Sequence, residues 1–438
     1  MPNTKRTRLV ASTIAIALGA TALAACGSSD DSKADSGPVN LTFWSWAPGM
    51  DKVVDLWNKG PGKKDQITVT FKKQASGDTL VTKILTAHKA KTGPDLVQAE
   101  YQALPTLVSN GAVADISKEI GDAKSKFADG VWGQVTLGTD AVYAVPQDIG
   151  PLMFYYRADL FKKYGLTVPT TWDQFAETAR ALKKKAPDVD LTTFSANDAG
   201  LFAGLAQQAG AKWWTTSGNK WKVGINDAAT QKVAKFWGGL VKEGAIDNQP
   251  MYTPAWNKAL DTGKQIAWVS AVWAPGVLTT AAPSAKGKWA MAPLPQWSAN
   301  DDVTGSWGGS STAVTTDSKH QAAAAKFAAW LNTNGDALDT MAKEGGIYPA
   351  STSAQLSGAF SNPPAYFSNQ ADFYTKAAEI AKTTAASAWG PNVNVAYTTF
   401  NDAFGTAAKN KSDFVTALNT MQDTTLADMK KQGFEVSQ

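Results

Sequence analysis

The amino-acid sequence predicts an α/β protein of two lobes joined by hinge crossovers, with a ligand cleft between them. Three observations carry that prediction. From Val39 onward, β-rich runs alternate with amphipathic helical stretches, the rhythm of a sheet covered by helices. The chain has 438 residues, more than one ordinary hydrophobic core accommodates. Strand chemistry also returns late, after a long helical interval, so the chain leaves one lobe, enters the other and comes back. Repeated crossovers of this kind make a hinge, and a ligand that touches both lobes can drive closure.

The elements follow in order. VNLTFWSW (39–46) reads as a strand, MDKVVDLWNK (50–59) as a helix, ITVTFKK (67–73) as a strand and DTLVTKILTAHKAK (78–91) as a helix. PDLVQA (94–99) supplies a third strand, and a mostly parallel sheet is expected. AVYAVP (141–146) and PLMFYYR (151–157) read as a pair of hinge strands. A helix over TWDQFAETARALKKKA follows, with Thr171 as its N-cap. KQIAWVSAVW (264–273), GKWAMAPLP (287–295) and SWGGSSTAVTT (306–316) return to strand chemistry. Helices over 319–331 and 413–431 belong to the last third. The expected lobes are 38–146 plus 270–311, and 147–269 plus 312–438.

Near the N-terminus, Lys5, Arg6 and Arg8 precede an apolar run, 9–23, that is short for a membrane span. The run ends in Leu23-Ala24-Ala25-Cys26, which contains the single cysteine of the chain. This resembles a bacterial lipoprotein signal. The resemblance implies a signal peptide over 1–25 and acylation of Cys26, which would hold the protein on the outer face of the cytoplasmic membrane. Residues 26–37 then form the lipidated Cys and a polar, Gly/Ser-rich tether. Three of the 42 basic residues and none of the 38 acidic ones lie in 1–25, so the remainder is close to neutral. Neutrality argues against a nucleic-acid partner.

The stretch VYAVPQDIGPLMFYYRADLFKKYGL (142–166) resembles a signature of extracytoplasmic solute-binding proteins of carbohydrate ABC importers, the maltose-binding-protein-like branch. Arg157 departs from that signature, where many members carry Asn or Asp. Three further stretches, 93–116, 262–278 and 305–331, are similar to that family's third strand, returning hinge strand and last crossover. The resemblance implies a periplasmic-binding-protein-like fold and capture of an extracellular sugar, an oligosaccharide, for delivery to an ABC permease. It implies a monomer with no cofactor. A receptor for a polyamine, a peptide or another non-sugar solute is the alternative, and a carbohydrate-active enzyme is a third reading.

Trp is as frequent as Phe, 17 of each. A flat indole covers the C–H face of a sugar ring while carboxylates and amides pair with its hydroxyl edge, and each stacked ring contributes roughly 1.3 kcal/mol. Trp46 ends the first strand, where open α/β sheets place ligands. Glu100 and Tyr101 occupy a strand-to-helix turn of the same kind. Asp148 lies between the paired hinge strands, where an unpaired carboxylate is costly. Trp213 and Trp214 are adjacent in a hairpin, so one faces the ligand and the other the core. Trp273 and Trp307 flank crossovers, Gly309 permits close backbone approach, and Trp389 sits in the turn SAWGPN. His88 and His320, the two histidines, lie in helical patterns, which argues against a Ser-His-Asp triad and a multi-His metal site.

Overall fold

The structure, a computed structural model, describes residues 37–75, 77–217, 220–355 and 358–437. Cys26, the expected signal peptide and nearly all of the tether lie outside these residues. Ten strands are defined among the described residues: β1 (Val39–Ser45), β2 (Ile67–Lys73), β3 (Leu96–Glu100), β4 (Val145–Arg157), β5 (Trp214–Ser217), β6 (Lys220–Val223), β7 (Ala267–Ala271), β8 (Trp289–Ala292), β9 (Ser306–Val314) and β10 (Val436–Ser437). The main sheet has the order β2-β1-β3-β9-β4-β7, with β8 also paired to β4. A small sheet joins β5 and β6, the expected hairpin, to β10.

Alternation in β1 does what it predicts: Val39, Leu41, Phe43 and Ser45 are buried on one face. In the main sheet, β2, β1 and β3 pair in parallel, as β6 and β10 do in the small one. The strands β9, β4, β7 and β8 are all antiparallel to their partners, so the sheet is less parallel than expected. The cause is the crossover itself, because a chain that returns along the strand it left by must run the opposite way.

The expected pair of hinge strands is one strand of 13 residues. The N-terminal half of β4 pairs with β9, and its C-terminal half pairs with β7 and β8. Two register shifts, between Pro146 and Asp148 and between Ile149 and Pro151, carry the strand past its prolines. Bulges leave the missing proline N–H outside the ladder, so Gly150-Pro151 bends the strand without ending it.

Contacts also correct the expected lobe boundaries. The helix Gln321–Thr333 packs Phe327 edge-on against Phe43 and Trp57, 5.7 and 5.3 Å between ring centroids, so it covers the first lobe. The helix Gly335–Gly345 packs on Met50–Lys59 in the same lobe. Conversely, β8 and the helix Ala274–Ala281 belong with the second lobe, as does all of β7, most of which is expected there; β7 and β8 pair with the far half of β4. An Ala-rich amphipathic helix states which face it buries, not which lobe buries it. Thr171 caps Trp172–Lys185 as expected, its Oγ1 accepting from the Gln174 N–H at 3.2 Å. The helices Ala199–Gln208, Ala228–Glu243, Val393–Asn410 and Phe414–Lys431 build the rest of the second lobe around rings such as Phe202, Phe400 and Phe404.

Candidate functional site

A cavity of about 290 Å³ opens between the lobes. From the first lobe come Glu100, Gln102 and Thr106, in the turn and short helix that follow β3. The start of β9 supplies Ser306, Trp307 and Gly308. The second lobe supplies Asn197 and Asp198 before the helix Ala199–Gln208, then Trp389, Asn394, Tyr397 and Asn401. Asn394, Tyr397 and Asn401 are spaced as one helical face, so the helix Val393–Asn410 turns a polar stripe toward the cavity.

Asp198 is built into this site twice. Its Oδ1 accepts from the Leu201 N–H at 3.2 Å and caps the helix, and the Trp307 indole N–H lies beside its carboxylate over Gly200. Burial nevertheless pushes its carboxyl up to about 6, against those hydrogen bonds. Across the cavity, Glu100 accepts from Gln102 Nε2 at 3.0 Å. Trp307 is only 7% exposed and packs edge-on against Trp273, with ring centroids 4.7 Å apart. Trp273 Nε1 donates to the Trp307 carbonyl at 3.1 Å, so Trp273 props the residue that lines the cavity and does not line it itself. Trp389 lines the cavity from the second lobe, its Nε1 donating to Gln134 Oε1 at 3.3 Å.

The other expected site residues fall elsewhere. Asp148 accepts from Ser310 Oγ at 2.7 Å, Ser310 Oγ accepts from Gln98 Nε2 at 2.8 Å, and Gln98 Oε1 accepts from Ser45 Oγ at 2.6 Å. That chain of hydrogen bonds crosses β4, β9, β3 and β1, so Asp148 finds its partner inside the sheet; burial again pushes its carboxyl up to about 6. Tyr101 is 1% exposed, and its hydroxyl donates to the Asp148 carbonyl at 3.0 Å. Its ring occupies the space a side chain at Gly309 would need, since a Cβ there would lie 2.8 Å from Tyr101 Cε2. Gly309, with φ at +96°, therefore serves ring packing and the hinge backbone. Trp213 and Trp214 are both buried, at 6% and 0% exposure, and neither lines this cavity. Trp213 Nε1 bonds Thr230 Oγ1 at 3.0 Å. Trp46 is half-buried outside the cavity, its N–H donating to Gln98 Oε1 at 3.3 Å. Of the ten expected ligand residues, the structure brings Glu100, Trp307 and Trp389 to the cavity.

Asp198, Asn197 and Asn401 have no counterpart in the sequence reading. A signal existed for the first, because SANDAG before an apolar run is an N-cap pattern. A cap at the mouth of a cleft looks no different in sequence from a cap anywhere else.

Two lobes joined by long shared strands, with polar and aromatic side chains from both lobes facing one cavity, define a ligand-binding cleft. The comparisons with known proteins agree. Residues 44–338 match the family described as bacterial extracellular solute-binding protein, and the chain belongs to that family. Its members bind solutes and are not enzymes. An arabinooligosaccharide-binding protein of Bacillus subtilis is 23% identical over 323 residues, 70% of this chain and 72% of that one. The galacto-N-biose/lacto-N-biose I-binding protein of an ABC transporter of Bifidobacterium longum, in complex with lacto-N-biose, superposes with a TM-score of 0.83 and 26% identity, covering 92% of this chain and 100% of that chain. An ABC transporter associated binding protein of B. animalis subsp. lactis, in complex with beta-1,6-galactobiose, has a TM-score of 0.79 and 25% identity, covering 92% and 100%. Among the described residues, no helix is long and apolar enough to cross a membrane.

Proposed function

We propose that this chain captures an extracellular oligosaccharide in the interlobe cavity and delivers it to an ABC import permease. The observation that carries the reading is the meeting, in one cavity, of Trp307 and Trp389 with the carboxylates and amides of both lobes. An indole covers a sugar face for roughly 1.3 kcal/mol, and Glu100, Asp198, Asn394 and Asn401 match the hydroxyl edge. The sugar ligands of the relatives above support the same class. Closure follows from the division of the site: with lining residues on both lobes, the sugar binds the closed arrangement more tightly and shifts the population toward it. The protein acts as a monomer, held by an acylated Cys26 to the outer face of the membrane, where closed receptor meets permease.

Titration calorimetry of residues 38–438 with arabino-, galacto- and gluco-oligosaccharides, a polyamine and a short peptide tests the ligand class. The expected result is sugar binding at one site per chain, a thermal stabilisation of roughly 2.7 kcal/mol at 100 times the Kd, and a smaller radius of gyration by scattering. A response to the polyamine or peptide and to no sugar would overturn the reading. For the anchor, Cys26→Ser should move the protein from the membrane to the soluble fraction with its sugar affinity unchanged.

A further inference from the structure

The first lobe gathers unpaired positive charge at one end. Strands β1 and β2 start side by side at Val39 and Ile67, and the Val39 N–H donates to the Gln66 carbonyl at 2.8 Å. The tether expected from the sequence therefore joins the fold beside the helix Pro61–Asp65, which bears Lys63 and Lys64. The helix Asp78–Lys89 ends at the same side, shortly before the Asp95 N–H donates to the Thr42 carbonyl. Lys319 lies between β9 and the helix Gln321–Thr333, where the Thr315 N–H donates to the Asp95 carbonyl. Lys63, Lys64, Lys89 and Lys319 are exposed, and none forms an ion pair among the described residues.

The aspartates among these lysines are already matched. Asp55 pairs with Lys59 at 3.2 Å, Asp65 with Lys326 at 2.7 Å and Asp317 with Lys91 at 3.1 Å. Exposed Asp115, Glu119 and Asp122 lie on the loop beyond the end of β9, so the basic face is that of β2, β1 and β3. Leu56, one turn before the end of the helix Met50–Lys59, is 39% exposed. Among the described residues, only Tyr252, in the second lobe, is a large apolar side chain more open to solvent. Lysines around an exposed leucine complement an anionic lipid surface, whose phosphates meet the ammonium groups while the acyl boundary receives the apolar side chain.

We propose that this end of the first lobe docks on anionic phospholipid and holds the cleft toward the solution from which sugar arrives. The inference rests on the anchored reading of Cys26 given above. Residues 26 to 39 span no more than about 45 Å of chain, so an acylated Cys26 keeps the patch within reach of the headgroups. The cavity lies at the opposite ends of the strands, where Glu100 closes β3. The seven residues of β1 alone put about 20 Å between the two ends, so docked lysines and an open cleft do not compete.

Acetylation of the acylated full chain in phosphatidylglycerol vesicles and in phosphatidylcholine vesicles, read by mass spectrometry, tests this. Lys63, Lys64, Lys89 and Lys319 should react about tenfold more slowly on phosphatidylglycerol, and about 0.5 M salt should restore them. Lys242, exposed on the helix Ala228–Glu243 of the second lobe, should react equally on both lipids. The double variant Lys63→Glu, Lys64→Glu should free Lys89 and Lys319 on phosphatidylglycerol, since each lysine at an anionic surface is worth roughly fivefold in affinity. Its sugar affinity should stay as it was, which also reports that it folds; Lys89→Glu with Lys319→Glu, read through Lys63 and Lys64, is the reciprocal test. Equal reactivity on both lipids, or protection of Lys242 as well, would overturn the inference. So would protection on native membranes but on neither vesicle, the mark of a protein partner. A Cys26 without an acyl group would overturn the anchored reading instead, and sedimentation of that chain with the same two vesicles would then decide the docking.

Discussion

The two walls of the cleft are built differently. On the first lobe, Glu100 and Gln102 sit in a single turn at the end of β3, bonded to each other and close to the sheet. On the second, the contributions are dispersed: Asp198 caps one helix, Asn394, Tyr397 and Asn401 stripe another, and Trp389 stands in the turn before it. The first wall is compact and polar, the second broad, aromatic and rich in amides. Neither offers by itself both a stacking face and a complete hydroxyl edge. On the proposed reading, a sugar that touches both walls favours the closed arrangement.

Trp307, on the strand that both lobes share, is the place to break that division most severely. Trp307→Ala removes a buried indole from between Trp273, Gly200 and Asp198, and should cost about 3 to 5 kcal/mol of stability together with sugar binding. Denaturant melts and calorimetry read the two losses separately. Lost affinity with unchanged stability would show that Trp307 is a pure ligand platform and not part of the packing.

The carboxylates sharpen the contrast. With its carboxyl raised to about 6, Asp198 loses charge as the pH falls through that value, so affinity for a ligand that donates hydroxyls to it should decline below pH 6. Asp198→Asn should lower affinity at pH 7 by about ten- to a hundredfold, the worth of a charge-assisted hydrogen bond, and flatten this pH dependence. Glu100→Gln, half-buried in a turn and already paired with Gln102, should cost about tenfold or less and leave the pH profile near 6 in place. Equal losses in the two variants would erase the distinction between the walls.

The smallest effect belongs to Asp148, which the sheet holds away from the cavity. Its carboxyl is at about 6 in the fold, against about 3.9 in an unfolded chain. The folded state therefore takes up the proton first, and the associated stability is fully present below the unfolded pKa and lost as the pH rises through about 6. Asp198 and Asp190 contribute in the same direction, so Asp148→Asn should make stability fall less steeply as the pH rises between about 4 and 6 and leave sugar affinity unchanged. A variant that lost affinity would return Asp148 to the cleft.

Much of the first lobe was legible because its signals are local. β2 and the helix Met50–Lys59 lie where the residue pattern puts them, and in the second lobe Thr171 caps the helix that follows it as expected. Tryptophan was legible as a type and not by position. Trp214, Trp256, Trp268 and Trp289 are fully buried while Trp307 and Trp389 reach the cavity, and an indole brings the same area to a core as to a sugar. Trp44 is half-buried between the core and Lys83, whose Nζ lies 4.7 Å from the ring centroid.

What the sequence alone determined is what depends on neighbours along the chain: alternation sets which face of β1 is buried, capping residues set where helices begin, and the return of strand-forming runs sets the number of lobes. Tertiary structure decided what depends on neighbours in space. It made one strand of an expected two, moved Gln321–Thr333 to the first lobe, gave Asp148 a partner in Ser310 instead of a ligand, and brought Asp198 against Trp307, 109 residues away. The physical reason is the same in each case. Burial and hydrogen bonding reward any partner of suitable shape and chemistry, and only the folded chain selects which one is there.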